Sequence, residues 1–442
     1  MGNNNAHDTH AGPANVVETN ERYVVTVGRL ITGRPGESLA DQAVAVDGRR
    51  IAWVGDVAAL PAEYADWARA DYSGYTLLPG LVETHAHFGA RPGSAPNVSD
   101  PARHVQGWNA LHSLHWAQQL ASLGVTSAQS LGSKYFTDVA LREAINAGLA
   151  EGPRIVAAGS MITTTGGHDW KDSGEVDSLD DIRHAVRDHH KAGVDTIKAA
   201  ATGGFFTPGT AQWKAQFTVE ELRTLVDEAH RLGHPVAVHA HGTQGIRRAV
   251  EAGVDYIAHG TFISDDGTTR FDPELADQIA EKGIYVDVAA PPSYPPVEGE
   301  TIAPRALDLY RHGVKIVTGH DIGAVIPPNA YLYGLHQLEA SGIPRAEILV
   351  AATSRAAAAI GLAGVAGVIA PEYDADLLIV DGNPLDDLNA LERRQLIITR
   401  GQVFHPVPVE EYHGRKRDGK GHTNNVLEER FARVSRAALQ NW

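Results

Sequence analysis

One local pattern recurs through the middle of this 442-residue chain and restricts the folds open to it. A helical stretch ends at a glycine, and a short strand of apolar and β-branched residues follows. The pattern occurs as ASLGVTSAQS, KAGVDTIKAA, RLGHPVAVHA, EAGVDYIAHG, EKGIYVDVAA and RHGVKIVTGH. The glycines, each suited to a left-handed helix cap, are Gly124, Gly193, Gly233, Gly253, Gly283 and Gly313. Apolar strands that alternate with helices predict parallel βαβ units.

Eight strands of this kind are predicted within residues 77–363. They start near Leu77, Val125, Arg154, Thr196, Pro235, Tyr256, Tyr285 and Lys315. Eight strand–helix units over this length predict an α/β fold of the (β/α)8 TIM-barrel type. The alternative is a doubly wound open sheet. That fold more often carries a glycine-rich phosphate turn after its first strand, and the sequence has none there.

Strand-rich segments flank the barrel region on both sides. YVVTVGRLITG and QAVAVDGRRIAWVG precede it, and DADLLIVDGNPLDDL and QLIITRGQVF follow it. They predict a small β-sandwich domain assembled from residues 21–76 and 364–410. Residues 1–20 are expected to form a flexible polar leader.

Residues 411–442 are expected to form a mixed-charge tail that ends in an amphipathic helix. Its apolar stripe would consist of Leu427, Phe431, Val434 and Ala438, with Leu439 near the edge. Docking of this helix on a second subunit would make the protein a homo-oligomer. A solvated, partly frayed helix is the alternative.

Composition narrows the partners and the ligand chemistry. The formal net charge of −16 disfavours nucleic acid and anionic membranes as partners, and no apolar run reaches membrane-spanning length. The N-terminus lacks the basic start and apolar stretch of a signal peptide. Because the chain has no cysteine, a metal site must use nitrogen and oxygen donors. The lack of cysteine also fits a cytoplasmic location.

Ionisable side chains stand at the ends of several predicted strands. They are His85 and His87 in LVETHAHF, Lys198 in TIKAAATGG, His239 and His241 in VAVHAHG, His259 in IAHGT, and His320 and Asp321 in TGHD. The carboxyl ends of barrel strands meet at one rim, so these groups are expected to converge. Any one of them could be an ordinary buried polar group. Burial of five or six ionisable side chains at one rim would cost several kcal/mol for each side chain unless they are paired or bind a cation. The combined pattern therefore favours a metal centre.

Several of these strings resemble the amidohydrolase superfamily. LLPGLVETHAHF is similar to its strand-one signature, and DADLLIVDGNPLDDL to its C-terminal β-domain return. VDTIKAAATGG, VAVHAHG and IAHGT are similar to a binuclear subgroup of imidazolonepropionase-like dipeptidases and ochratoxin-type amidases. The resemblance implies two divalent metal ions, with zinc as the expected metal. The ligands it implies are His85, His87, Lys198, His239, His259 and Asp321.

The same resemblance implies a role for each ligand. His85 and His87 would bind the more buried ion, and His239 and His259 the second. Lys198 would be N-carboxylated and bridge both ions. A carbamate supplies negative charge and two oxygen donors, and burial with nearby positive charge favours the neutral amine that reacts with carbon dioxide.

Asp321 would contact the first ion and transfer protons to and from the substrate. One departure from the subgroup is visible here, since the usual GTD is replaced by TGHD, and the role of His320 is open.

The expected reaction is attack of a metal-bridging hydroxide on an amide-like C–N bond, as in a dipeptide or an N-acyl amino acid. Asp321 would act as base and then as acid. His241 and His168, the latter in TTTGGHDW, would stabilise the oxyanion or hold a substrate carboxylate; the alternative for either is a loop histidine facing water.

Other reactions of small molecules stay open for this site. They are hydrolysis of a carbamate, urea, ester or phosphotriester, and deamination at a mononuclear centre with Lys198 as a bystander. A further alternative is that the chain is a scaffold protein without catalytic activity. Aromatic loop residues favour a substrate with an apolar portion, although they could equally pack the loops themselves. These residues are Phe205, Phe206, Trp213, Phe217 and Tyr294.

Overall fold

The computed structural model describes residues 13–89, 101–205, 207–288, 305–323 and 326–409. Phe206, Tyr294 and the tail with its apolar stripe lie outside the described residues, as does most of the expected leader. Among the helices of the described part, none combines the length and apolar composition needed to cross a bilayer.

The first described segment, residues 13–89, begins with a short helix and four strands. These are α1 Pro13–Thr19, β1 Arg22–Ile31, β2 Ser38–Asp47, β3 Arg50–Asp56 and β4 Ala68–Pro79. Strand β1 pairs antiparallel with β2 and parallel with β4, and β2 pairs antiparallel with β3. The β2–β3 hairpin turns at Gly48, whose φ of +55° suits glycine. The first barrel strand was predicted to start near Leu77, but that residue lies in β4, and the next strand starts only at Leu81.

The middle of the chain alternates strands and helices. The strands are β5 Leu81–Ala86, β6 Val125–Ser130, β7 Arg154–Ala157, β8 Ile162–Thr163, β9 Gly174–Glu175, β10 Ile197–Ala200, β11 Val236–Gly242, β12 Tyr256–Ile263, β13 Tyr285–Asp287 and β14 Lys315–Val317. The helices are α2 Pro101–Ser122, α3 Thr137–Asn146, α4 Leu179–Ala192, α5 Val219–Arg231, α6 Thr243–Ala252, α7 Pro273–Glu281, α8 Ala306–Arg311, α9 Ala330–Ala340, α10 Arg345–Ala351 and α11 Ser354–Ala359. Seven of the eight predicted strands start within one residue of the expected position. All six cap glycines have positive φ, as predicted.

The middle strands pair in parallel in two sheets, of order β5-β6-β7 and β14-β13-β12-β11-β10-β8-β9. An α/β fold with parallel sheets is therefore confirmed. Backbone hydrogen bonds connect the two sheets on both sides. The N–H of Asp195 donates to Ala157 O at 2.7 Å, and the N–H of Thr84 donates to Thr318 O at 2.9 Å. The carboxyl ends of the strands consequently face one common region.

The last described segment, residues 326–409, returns to the first sheet with three strands, β15 Leu377–Val380, β16 Arg394–Thr399 and β17 Gln402–Val403. The resulting sheet has the order β17-β16-β15-β4-β1-β2-β3. Both ends of the chain thus share one sheet; its division into the two layers of a sandwich stays a prediction. The buried carboxylate of Asp374 connects this sheet to β7, because it pairs with Arg49 at 2.7 Å and with Arg154 at 2.6 Å.

Apolar residues pack on both faces of the parallel strands. Residues of different strands, such as Val82, Ala237 and Val317, form one core with the alanines of α11. Other apolar residues of the strands pack against the remaining helices in a larger core. Burial of apolar surface on both faces leaves the strand ends as the place for polar side chains.

Candidate metal centre

Three predicted ligands meet where β5 and β14 end. Nε2 of His85 lies 3.2 Å from Nε2 of His87, and Oδ1 of Asp321 lies 3.3 Å and 3.0 Å from these two atoms. Asp321 adopts a φ of +58°, a left-handed conformation that costs energy for a residue with a side chain. The structure brings together in space residues that are more than 230 positions apart in the sequence.

The partners of the two imidazoles determine where their protons lie. Nδ1 of His85 lies 3.0 Å from a carboxylate oxygen of Asp287, and Nδ1 of His87 lies 3.1 Å from Gly132 O. Because both partners only accept, each Nδ1 carries a hydrogen, and the Nε2 of each ring, which donates a lone pair when it is not protonated, faces Asp321. Three electron-pair donors converging in this way fit a cation.

In the metal-free protein, a proton can satisfy the same cluster. Burial lowers the pKa of His87, but the hydrogen bond to Asp321 outweighs burial and raises the pKa above its usual value. Burial raises the pKa of Asp321, whereas the neighbouring His85 and His87 hold it far below its usual range. Asp321 is therefore ionised at neutral pH.

A second group of imidazoles lies on β11, which carries His239 and His241, and on β12, which carries His259. Nε2 of His239 lies 3.2 Å from Gly203 O, so it carries the hydrogen, and the bare Nδ1 lies 3.0 Å from Nε2 of His259. The ring of His241 stacks on that of His259 with centroids 4.3 Å apart. The potential ligand atoms of these three histidines lie within 4.8 Å of one another.

Burial keeps the second group uncharged. It lowers the pKa of His241 to about 3 and the pKa values of His239 and His259 well below the usual value. Neutral imidazoles are the form that binds metals.

Lys198 faces the same region. The pairing of Ala200 with His239 places Lys198, two positions earlier on β10, on the same face as His239, because side chains alternate along a strand. The side chain is 1% exposed, and within the described residues its Nζ has no hydrogen-bond partner. Burial lowers the pKa of this amine to about 8.

His168 and Phe205 lie beside the second group. The ring of His168 stacks on His239 with centroids 4.2 Å apart, and burial lowers its pKa to about 4. Phe205, 37% exposed, has its ring edge against His241 at 4.8 Å. Of the other predicted aromatic residues, Phe217 is buried in the larger apolar core, and Trp213 has its backbone close to Gly242 and its ring close to Gly267. Among the predicted aromatic residues that the structure describes, Phe205 is thus the one that contacts a predicted site residue and is exposed to solvent.

Two buried carboxylates were missed in the sequence. Asp287, at the end of β13, contacts His85, and Glu83 contacts His320. Glu83 accepts hydrogen bonds from the backbone N–H groups of His85 and His320 and pairs with Nδ1 of His320 at 2.6 Å. This pairing connects β5 to the segment that follows β14, and it accounts for the histidine that departs from the subgroup pattern.

The sequence contains a signal for each of these carboxylates. Asp287 follows the cap glycine at position 283 by four residues, close to the five that separate Gly193 from Lys198. Glu83 precedes His85 by two positions, the spacing that places residues on one face of a strand.

Known proteins resemble this chain in sequence and in fold. The sequence profile of the amidohydrolase family matches residues 76–403. The ochratoxinase of Aspergillus niger is 28% identical, with 87% of each chain covered. A solved Xaa-Pro dipeptidase with methionine bound in its active site is 28% identical, with a TM-score of 0.75 over 87% of this chain and 99% of that one. A prolidase complexed with N-methylphosphonate-L-proline is 26% identical, with a TM-score of 0.73 over 88% of this chain and 100% of that one.

Proposed function

Because this chain belongs to the amidohydrolase family, we propose that it hydrolyses the C–N bond of a dipeptide or an N-acyl amino acid with the help of two divalent metal ions. The observation that carries the proposal is the convergence of His85 Nε2, His87 Nε2 and Asp321 Oδ1 within 3.3 Å of one another. Without a cation or a proton among them, these electron-pair donors would repel one another. The relatives described as dipeptidase, prolidase and ochratoxinase support an amide-type substrate.

The residues present fit two ions. His85, His87 and Asp321 would hold the first, and His239 and His259 the second. Lys198 would be carboxylated on Nζ and provide one oxygen to each ion. Its buried amine, which has no hydrogen-bond partner in the described part of the chain and a lowered pKa, supports this. Carboxylation needs a neutral amine, and the oxygen-rich product would satisfy a site lined with cations. Zinc suits the nitrogen-rich ligand set.

When bound, such ions would lower the pKa of a water molecule and polarise the carbonyl group of the substrate. Asp321 is ionised, so it can accept the proton of the attacking water and deliver it to the leaving nitrogen. His168 and His241 are neutral; His241 belongs to the second imidazole group, and His168 stacks on His239 of that group. Each can therefore donate an N–H to a substrate oxygen without adding positive charge to the site.

The proposal includes closure of the parallel strands into a (β/α)8 barrel within residues 77–363. The hydrogen bonds that connect the three-stranded and seven-stranded parallel sheets on both sides support closure. A closed ring would explain how ligands from five strands reach one chamber.

Metal analysis and a substrate panel test the function. We expect about two equivalents of zinc per chain in protein grown with ample zinc, and turnover of some members among dipeptides, N-acyl amino acids, carbamates and aryl ureas. Lys198→Ala should lower the metal content and abolish turnover. Lys191→Ala, which changes an exposed lysine of α4, serves as the matched control and should leave both unchanged. A folded wild-type protein that binds no zinc and hydrolyses nothing in the panel would support the scaffold alternative instead.

A further inference from the structure

The carboxylate of Asp287 is completely buried, yet no metal or substrate role was predicted for it. Its side chain is 0% exposed and lies at the end of β13, between β12 and β14 in the sheet. An ionised carboxylate in such a place is tolerated only when hydrogen bonds replace its hydration.

Asp287 receives three hydrogen bonds, and two of them come from predicted ligands of different ions. Nδ1 of His85 donates to Oδ2 at 3.0 Å, and the backbone N–H of His259 donates to Oδ1 at 3.1 Å. The hydroxyl of Tyr256 donates to Oδ2 at 2.7 Å. One side chain is thereby in direct contact with both ligand groups.

The contact with His85 determines the tautomer of that ring. A carboxylate accepts only, so Nδ1 carries the hydrogen and Nε2 stays free to bind a cation. Carboxylates in this position behind a ligand histidine also orient the ring and increase its basicity.

The contact with His259 restrains a strained backbone. His259 has a φ of +73°, a left-handed conformation that is unfavourable for a non-glycine residue. The pairing of β11 with β12 becomes irregular directly after Ala240, the partner of His259. The hydrogen bond from its N–H to Asp287 helps hold the residue where its ring meets His239.

We propose that Asp287 is a positioning residue that prepares both ligand groups at once, so that occupancy of the two ions depends on one buried carboxylate. The inference rests on the proposed function, since it concerns the same metal centre.

The test is Asp287→Asn, which keeps the shape but offers only one acceptor oxygen. If that oxygen stays with the N–H of His259, the new NH2 group faces His85 and forces the hydrogen of that ring onto Nε2. We expect metal affinity, measured by competition with a chromophoric chelator, to fall roughly 10- to 100-fold. The visible spectrum of the cobalt-loaded protein should change as well, because the ligand geometry changes.

Two further variants distinguish a positioning role from a general loss of stability and from direct metal ligation. Asp138→Asn removes a buried carboxylate that binds backbone N–H groups near β7 rather than imidazoles, so it should leave metal affinity unchanged even if stability falls. Tyr256→Phe leaves the charge of Asp287 and removes one of its three donors. We expect affinity to fall by roughly two- to tenfold, as for one hydrogen bond.

The outcomes are distinct. The positioning role would be overturned if Asp287→Asn bound metal as tightly as the wild type. It would also be overturned if Tyr256→Phe bound metal equally well or more tightly, because a carboxylate that is itself a metal ligand gains when a competing donor is removed. If Asp287→Asn does not fold, Tyr256→Phe decides the question alone. A wild-type protein without metal would instead refute the proposed function.

Discussion

Replacing Lys198 by methionine should stabilise the metal-free protein and destabilise the metal-loaded one. The wild-type amine is 1% exposed and has no hydrogen-bond partner among the described residues. Methionine has a similar length and is apolar, so it suits a buried site without ligands. In the metal-loaded protein, by contrast, the variant would lack the bridging carbamate.

The size of the effect follows from the pKa of Lys198. Burial lowers this pKa from 10.5 to about 8, although Asp287 and Asp321 oppose the change. At about 1.4 kcal/mol per pH unit, keeping the lysine charged in the folded protein costs about 3 kcal/mol at neutral pH. The unfolded chain binds the proton more tightly, so the cost is full below pH 8, decreases as the pH rises, and vanishes near 10.5. The variant is free of this cost at every pH.

Guanidinium chloride unfolding measures the difference. Both proteins are stripped with a chelator and kept in buffers free of carbon dioxide, so that the wild-type amine stays uncarboxylated. We expect Lys198→Met to be more stable by up to about 3 kcal/mol at pH 7, with the difference shrinking between pH 8 and 10. On addition of zinc and bicarbonate the order should reverse, because only the wild-type protein binds both ions tightly.

A metal-free variant that is no more stable than the wild type at pH 7 would refute this reasoning. A stability difference that does not change with pH would be equally damaging, because it would show that the proton on Lys198 carries no cost. Lys191→Met, at an exposed position, controls for the general effect of removing a lysine.

Three further predictions concern other parts of the molecule. Asp374→Asn should lower the free energy of unfolding by about 3 kcal/mol, because the carboxylate is buried and paired with arginines. Burial raises the pKa of Asp374, but Arg49 holds it below its usual value, so in acid titrations this stabilisation should be full above about pH 4 and lost below it. Gly204→Ala would place a Cβ 2.1 Å from the ring of His168, so we expect kcat/KM to fall at least roughly tenfold with unchanged zinc content by elemental analysis. Because the pKa of His87 is raised, zinc should displace protons when it binds, which titrations in weak buffer measure, and its affinity should decrease as the pH falls. An affinity that does not depend on pH would contradict the assignment of His87 as a zinc ligand.

The main features of the fold can be predicted from local patterns. A cap glycine followed by an apolar strand is encoded within about ten residues, and all six predicted caps have positive φ. The first strand was misplaced because the apolar run around Leu77 continues across Pro79 and Gly80. The structure divides this run between two sheets, and periodicity alone contains no signal for such a division.

The ligand histidines were also accessible to sequence reasoning. The i, i+2 spacing of His85 and His87 places both near the end of one strand, and the distances from the cap glycines place Lys198, His239 and His259 at a similar height. The spacing could not predict which carboxylates form hydrogen bonds with these histidines. Glu83 meets His320 across 237 residues and Asp287 meets His85 across 202, and such pairings depend on how strands from distant parts of the chain pack together.

The sequence by itself therefore determined the alternation of strands and helices, the parallel sheets and the identity of the candidate ligands, because each depends on short-range spacing and side-chain chemistry. Only the tertiary structure decided which ring nitrogen of His85, His87 and His239 carries the hydrogen and that His259 and Asp321 adopt left-handed backbones. It also decided that Lys198 is buried without a hydrogen-bond partner among the residues the structure describes. The physical reason is that proton positions and strain depend on hydrogen bonds between distant segments, which form only after the strands have packed.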